Sequence, residues 1–105
     1  MDTVDDRQRL NEENTDLIEH NSITAYPNPF SNSTTIEYKI SSDAQTSLFL
    51  YNMQGEQVAQ LVNGKAQAEG VYQVEIDAMA YPAGIYYATL WTGKELITEK
   101  LIIVK

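Results

Sequence analysis

A chain of 105 residues can hold one domain with a thin core, since a domain of this size buries roughly 60–65% of the surface its unfolded chain exposes, leaving little room for a deep substrate pocket. Fifteen acids against seven lysines and arginines give a formal charge of −8, the opposite of the clustered cations that phosphate backbones and anionic membrane surfaces require, so nucleic acid and lipid are excluded as partners. Cysteine is absent, and with it any disulfide framework or thiolate metal site; no apolar run approaches ~18 residues and no leader-like segment opens the sequence, so no membrane insertion is expected, and the chain reads as cytoplasmic or as a piece of a longer exported protein.

Residues 1–22 carry seven acids and two arginines, a net −5, whereas residues 23–105 carry eight acids and five lysines, a net −3. The apolar residues of the first segment (Met1, Val4, Leu10, Leu17, Ile18) follow no period and include no aromatic. Such a segment buries too little to offset its ordering entropy, and residues 1–22 are expected to form a flexible acidic linker. Every tyrosine, both phenylalanines and the only tryptophan lie between Tyr26 and Trp91, which places the domain at residues 23–105.

Within that domain, alternation and β-branched or aromatic enrichment predict seven strands. The first, residues 23–26, is stopped by Pro27, which has no N–H to pair. Thr34, Ile36, Tyr38 and Ile40 then alternate with Thr35, Glu37 and Lys39, the pattern of a strand with one buried face. Residues 46–52, "TSLFLYN", are apolar on both faces and suit a central strand. A turn over residues 53–56, with Gly55 at positive φ, leads to a fourth strand at residues 57–62 and a polar loop, "NGKAQAEG". Residues 71–77 alternate again; "AMAYPAG" reverses the chain; residues 85–91 form the sixth strand, and Thr92-Gly93 turns it into the seventh, residues 95–104.

Seven short strands with turn signals every 8–12 residues or so and no helical period predict an all-β, two-layer antiparallel Ig-like sandwich. Its inner faces are expected to carry Ile36, Tyr38, Leu48, Leu50, Val58, Val74, Ile76, Tyr87 and Leu101.

Few residues of the chain are placed to carry chemistry. The only histidine, His20, lies in the acidic segment, where it cannot be held beside a Ser or Thr as a base. Glu75 and Asp77 share one strand face, a spacing that usually marks a solvated surface. No calcium loop, zinc motif or phosphate-cradling glycine loop is present, so no catalytic residue, metal or cofactor is expected. Asn32-Ser33-Thr34 fits the glycosylation acceptor pattern, which is too short to weigh. Tyr86, Tyr87 and Trp91 offer a sugar-stacking platform, but adjacent tyrosines point to opposite faces and split it. The end of the sequence, "EKLIIVK", is apolar and β-branched to the last residues, where chains usually turn polar. It suits a closing strand guarded by Lys100 and Lys105, and equally a strand that another protein reads by strand addition.

Four segments, "YPNPF", "LYNMQGEQV", "YPAGIYYATL" and "KLIIVK", occur in an order and at a spacing that resemble the C-terminal sorting domains of proteins exported by the type IX secretion system of Bacteroidetes. The similarity covers roughly residues 25–105. It implies an Ig-like domain behind a larger cargo in the same chain, an outer-membrane translocon as partner, transit through the periplasm, and arrival at the cell surface or outside the cell. A sortase-like cysteine peptidase would cut upstream, within residues 1–24, and anchor the cargo. The resemblance assigns Pro27, Asn28 and Pro29 to an entry motif, Tyr51, Gly55 and Val58 to a middle motif, and Gly84 and Tyr86 to a G-x-Y motif. Lys100, Leu101, Ile102, Ile103, Val104 and Lys105 correspond to the terminal signal. Asn52 departs from the Asp common in the middle motif. An Ig-like module of the hook-capping kind shares part of this pattern, so a structural or adhesive role, including carbohydrate binding, stays open.

Overall fold

The computed structural model describes residues 18–105, so residues 1–17 of the expected linker lie outside the described residues. The described residues form seven strands: β1 (Ser22–Tyr26), β2 (Ser33–Ile40), β3 (Ala44–Asn52), β4 (Gln57–Gln67), β5 (Gly70–Asp77), β6 (Gly84–Trp91) and β7 (Leu96–Ile103), with one 3-10 turn at Ala78–Ala80. They make two antiparallel sheets, β1-β2-β5 and β4-β3-β6-β7. This is the two-layer sandwich that the alternation predicts.

β2 shows how pattern becomes layer. Thr34, Ile36, Tyr38 and Ile40 are all buried, and the residues between them face outward. Across the core lie Leu48 and Leu50 of β3, Ala88 and Leu90 of β6, and Leu101 and Ile103 of β7. Each fully buried aliphatic side chain contributes about 1.5–3 kcal/mol, so these residues dominate the stability of so small a domain. Tyr38 stacks on its cross-strand partner Tyr72 with ring centres 5.4 Å apart, and its hydroxyl donates to Gln67 Oε1 at 3.0 Å, tying one sheet to the other. The Thr46 hydroxyl is buried without a hydrogen-bond partner among the described residues.

Three expectations need correction. The polar run "NGKAQAEG" is not a loop over most of its length: β4 continues to Gln67 and pairs with the start of β3, where Lys65, Ala66 and Gln67 face Thr46, Gln45 and Ala44. Early β3 needs a backbone partner, and polar side chains do not prevent an exposed edge strand from supplying one. The ladder adapts through register shifts, with Gly64 at φ 55° and its N–H donating to Ser47 Oγ at 2.9 Å.

Val58 is not a core residue. It is 39% exposed, because the irregular register turns Ala59, Leu61 and Val62 toward the core instead. Tyr87 is not one either: Tyr86, Ala88 and Leu90 face inward, and Tyr87 and Trp91 face out. Both parities of β6 are apolar, so alternation alone leaves the face undecided. Ala88 and Leu90 fit between two close sheets, and Tyr86 sits near the strand end, where its hydroxyl reaches Pro82 O at 2.6 Å.

Gly55 has φ 83° in the turn after β3, as expected. Asn52 organises that turn: its Oδ1 accepts from the N–H groups of Gln54 and Glu56, both at 3.0 Å, and its Nδ2 donates to the Glu56 carboxylate at 2.8 Å.

Candidate functional site

The four quoted segments meet at one end of the sandwich. Antiparallel pairing requires this within each sheet, and the bridge between Phe30 and Ile103 brings the two sheets together at that end. Tyr26 faces Thr35, Ser33 faces Asp77, Asn52 faces Tyr86 and Gly84 faces Ile103, so the ends of β1, β3, β5 and β7 share one end of the molecule with the starts of β2, β4 and β6.

The entry segment is fastened to the last strand. Asn28 Nδ2 donates to Lys100 O at 2.6 Å, and the Ile102 N–H donates to Asn28 Oδ1 at 3.0 Å. Phe30 follows with its backbone: its N–H donates to Ile102 O and its carbonyl accepts from the Val104 N–H, both at 2.9 Å, forming a parallel bridge between Phe30 and Ile103. The Phe30 ring is 2% exposed and enters the core beside Ile103. Pro27 and Pro29 flank Asn28, each after a cis peptide bond. The Pro27 carbonyl accepts from the buried Thr34 hydroxyl at 2.6 Å, which fixes the segment at the start of β2.

The G-x-Y segment packs from the other side. Gly84 faces Ile103 and Tyr86 faces Leu101 in the β6–β7 ladder. The Tyr86 ring lies 5.8 Å from that of Tyr81, and Lys105 Nζ donates to Tyr81 O at 2.7 Å. Gly84 has φ 151°, and no atom outside its chain neighbours lies within 4 Å of where a Cβ would stand, so the backbone conformation rather than a close approach calls for glycine there. The 3-10 turn joins the same end: Asp77 caps it by accepting from the Met79 N–H at 2.9 Å, and the Ala78 N–H donates to Asn32 O at 2.8 Å.

A shallow groove of about 260 Å³ separates residues 52–54 from residues 82–86, next to the ladder that β7 completes. Of the middle motif, Gly55 sits in the turn beside this groove, Tyr51 is half-buried opposite Tyr87 on the outer face, and Val58 is exposed near the start of β4. Met53, Met79 and Val104 are exposed apolar residues of the same end.

Of residues 100–105, Leu101 and Ile103 are core residues, Ile102 is half-buried, and Lys100, Val104 and Lys105 are exposed. Glu99, just before them, turns to the inner side of β7, where it is half-buried. The segment therefore has an inward set that completes the sandwich and an outward set that a partner can meet.

His20 is exposed, and Glu75 and Asp77 are exposed as well, so the structure assembles neither a base beside a nucleophile nor a paired acid from these candidates. Tyr86 is in the core while Tyr87 and Trp91 lie outside, so the three do not form a platform. The carboxylate held below its ordinary value of 4.5 is Glu37, on the outer face of the three-stranded sheet, where Gln73 Nε2 and the Tyr26 hydroxyl donate to it, each at 3.1 Å. These hydrogen bonds stabilise its charged form.

Sequence reasoning missed the joining of Asn28 and Phe30 to β7, whose partners lie more than 70 positions apart. No local pattern encodes so distant a pairing. The one available signal was Phe30 itself, a large apolar residue in a loop otherwise built of Pro, Asn and Ser.

Compared with known protein families, the chain matches the model described as "Secretion system C-terminal sorting domain" over residues 24–104, nearly the whole of the described structure. No curated protein matches it.

Proposed function

The chain belongs to the secretion system C-terminal sorting domains, and on that premise we propose that it passes a fused cargo across the outer membrane by the type IX route, with residues 100–105 as the segment that the translocon meets. The family is one of sorting domains on secreted or surface cargo and not a catalytic one. The domain itself would carry no active site. Its partners are then the outer-membrane translocon and a sortase-like cysteine peptidase, which cuts within residues 1–24 after transit through the periplasm and leaves the cargo at the surface.

One observation supports this reading above the others: the entry segment and the G-x-Y segment hold the last strand from its two sides, with the middle segment across β6 at the same end of the sandwich, where residues 100–105 present Lys100, Val104 and Lys105 outward. A plain structural module requires the inward set and leaves the outward set free to vary.

The test follows from that division. Deleting residues 100–105 would remove Leu101 and Ile103 from the core and confuse unfolding with loss of a signal. Exchanging only the exposed set, Lys100→Glu with Val104→Thr and Lys105→Glu, keeps the core intact. A reporter carrying a leader peptide and fused ahead of the chain, expressed in a bacterium with the type IX system, should reach the surface with the native sequence. With the exposed set exchanged it should collect in the periplasm while the purified variant keeps its melting temperature within a few degrees. Full surface display of that variant would remove the side chains of Lys100, Val104 and Lys105 from the recognition step, and failure of the native fusion to leave the periplasm would remove the sorting role itself.

A further inference from the structure

β7 is the edge strand of its sheet, and its two sides are held unequally. Alternation turns the backbone groups of Leu101 and Ile103 toward β6, in a continuous ladder from Gly84–Ile103 to Trp91–Leu96. The groups of Lys100, Ile102 and Val104 turn the other way, where they meet only Asn28 and Phe30. A carboxamide carries the same donor and acceptor as a peptide unit, so the Asn28 side chain substitutes for one residue of a neighbouring strand, and Phe30 adds a single parallel bridge. Pro27 and Pro29 have no N–H with which to extend the pairing. By the same alternation Leu96 and Thr98 also point outward; β1 lies alongside β7, and Asn21 Nδ2 donates to Glu95 Oε1 at 2.7 Å, but no strand among the described residues forms a ladder with that side of β7. The outer edge is thus paired only from Lys100 onward, by a short cap, and Phe30 fills a seat in the core that belongs to no strand of its own.

We propose that residues 28–30 form an exchangeable cap, and that an extended segment of a partner protein replaces them on the outer edge of β7, pairing with the outward backbone groups between Leu96 and Val104 and placing a large apolar side chain in the seat of Phe30. The partner chemistry is set by the edge: backbone N–H and C=O groups in extended geometry, with one bulky apolar residue to refill a site that would otherwise be left as a cavity. The partner half of this inference rests on the sorting role proposed above; the cap half does not.

Hydrogen exchange on the full 105-residue chain tests the cap. In Asn28→Ala the amides of Ile102 and Val104 should exchange about tenfold faster or more, while those of Leu101 and Ile103, bonded to β6, keep their protection. Equal loss at all four amides would make residues 28–30 an inseparable part of the fold and overturn the cap.

Locking tests the exchange. Bridge partners in adjacent strands stand about 4.7–4.9 Å apart, within the ~4.4–6.8 Å that a disulfide spans. The chain has no cysteine to compete, so Phe30→Cys with Ile103→Cys can close the cap covalently. Either single variant carries part of the same packing loss without the lock. A reporter fused to either single variant should be displayed more than one fused to the double variant, which should remain in the periplasm. Surface display of a double variant with its disulfide shown to be formed would overturn the exchange. Should the single variants also be retained, Asn28→Ala decides: display at or above the native level supports exchange, and retention of a folded Asn28→Ala chain opposes it. A native fusion that never leaves the periplasm would count against the sorting role, and with it the partner half, while the amide exchange still judges the cap.

Discussion

Gly84 separates two physical reasons for a glycine that sequence cannot tell apart. Its φ of 151° lies where L side chains rarely go, and an added Cβ would meet nothing within 4 Å outside the chain neighbours. The cost of substitution is therefore a backbone cost, about 1–3 kcal/mol, and nearly independent of side-chain size. Gly84→Ala and Gly84→Val should lose the same stability to within about 0.5 kcal/mol. For a domain this size 1 kcal/mol moves the melting point by roughly 4–8 °C, so an intermediate cost of about 2 kcal/mol should lower it by roughly 8–16 °C in both variants. Gly70 is the control: its φ is ordinary, the nearest atoms to an added Cβ are at 3.8 Å, and Gly70→Ala should be neutral or gain a few tenths of a kcal/mol by stiffening the unfolded chain. Thermal melts followed by circular dichroism, with urea unfolding to check that the slope is unchanged, read all three variants. A valine that costs over about 2 kcal/mol more than alanine would show that space is tight, and two variants as stable as the native chain would show that the backbone tolerates a side chain; either result refutes the reasoning.

Three further predictions concern polar groups. Thr46→Val keeps the branched shape and removes the unpartnered buried hydroxyl, so the urea midpoint should rise, by an amount on the order of 1 kcal/mol in stability. Asn52→Asp keeps the two accepted N–H bonds but replaces the donor to Glu56 with a second carboxylate; stability should fall by about 1 kcal/mol near neutral pH, and the deficit should shrink on acidification as the two acids protonate, which melts at several pH values would display. Glu37 is stabilised in its charged form by Gln73 and Tyr26, so its folded titration midpoint lies below the ordinary 4.5. Its contribution to stability is present above that value and is lost as pH falls through the folded midpoint; a carboxyl titration by NMR should show the low midpoint, and Gln73→Ala should raise it.

Much of the architecture was legible because it is encoded locally. The alternation of β2 separates Ile36, Tyr38 and Ile40 from Thr35, Glu37 and Lys39 over a few residues, and Gly55 marks the turn after β3. Legibility failed where the deciding information is distant or two-sided. In β6 both parities are apolar, and the choice of Tyr86 over Tyr87 depends on where Pro82 O lies to receive a hydroxyl. In β4 the polar residues after Asn63 look like a loop, and only the backbone demand of early β3 makes them a strand. Val58 was lost to the core by register shifts that no residue type announces. At the motif end the residues were identifiable, but their convergence was not, since Asn28 reaches Ile102 across 74 positions.

That separation has a kinetic consequence. A polypeptide made or threaded from its N-terminal side delivers Asn28 and Phe30 early and β7 last of the seven strands. Until β7 arrives, Phe30 has no bridge partner, Asn28 has no ladder to mimic, and the four-stranded sheet ends at an open β6. Loop closure over so long a span is slow, so the domain completes itself only after nearly all of it is present. The strand that finishes the fold is also the one that carries the outward residues of the last segment, so closure of the sandwich and presentation of that surface become a single event.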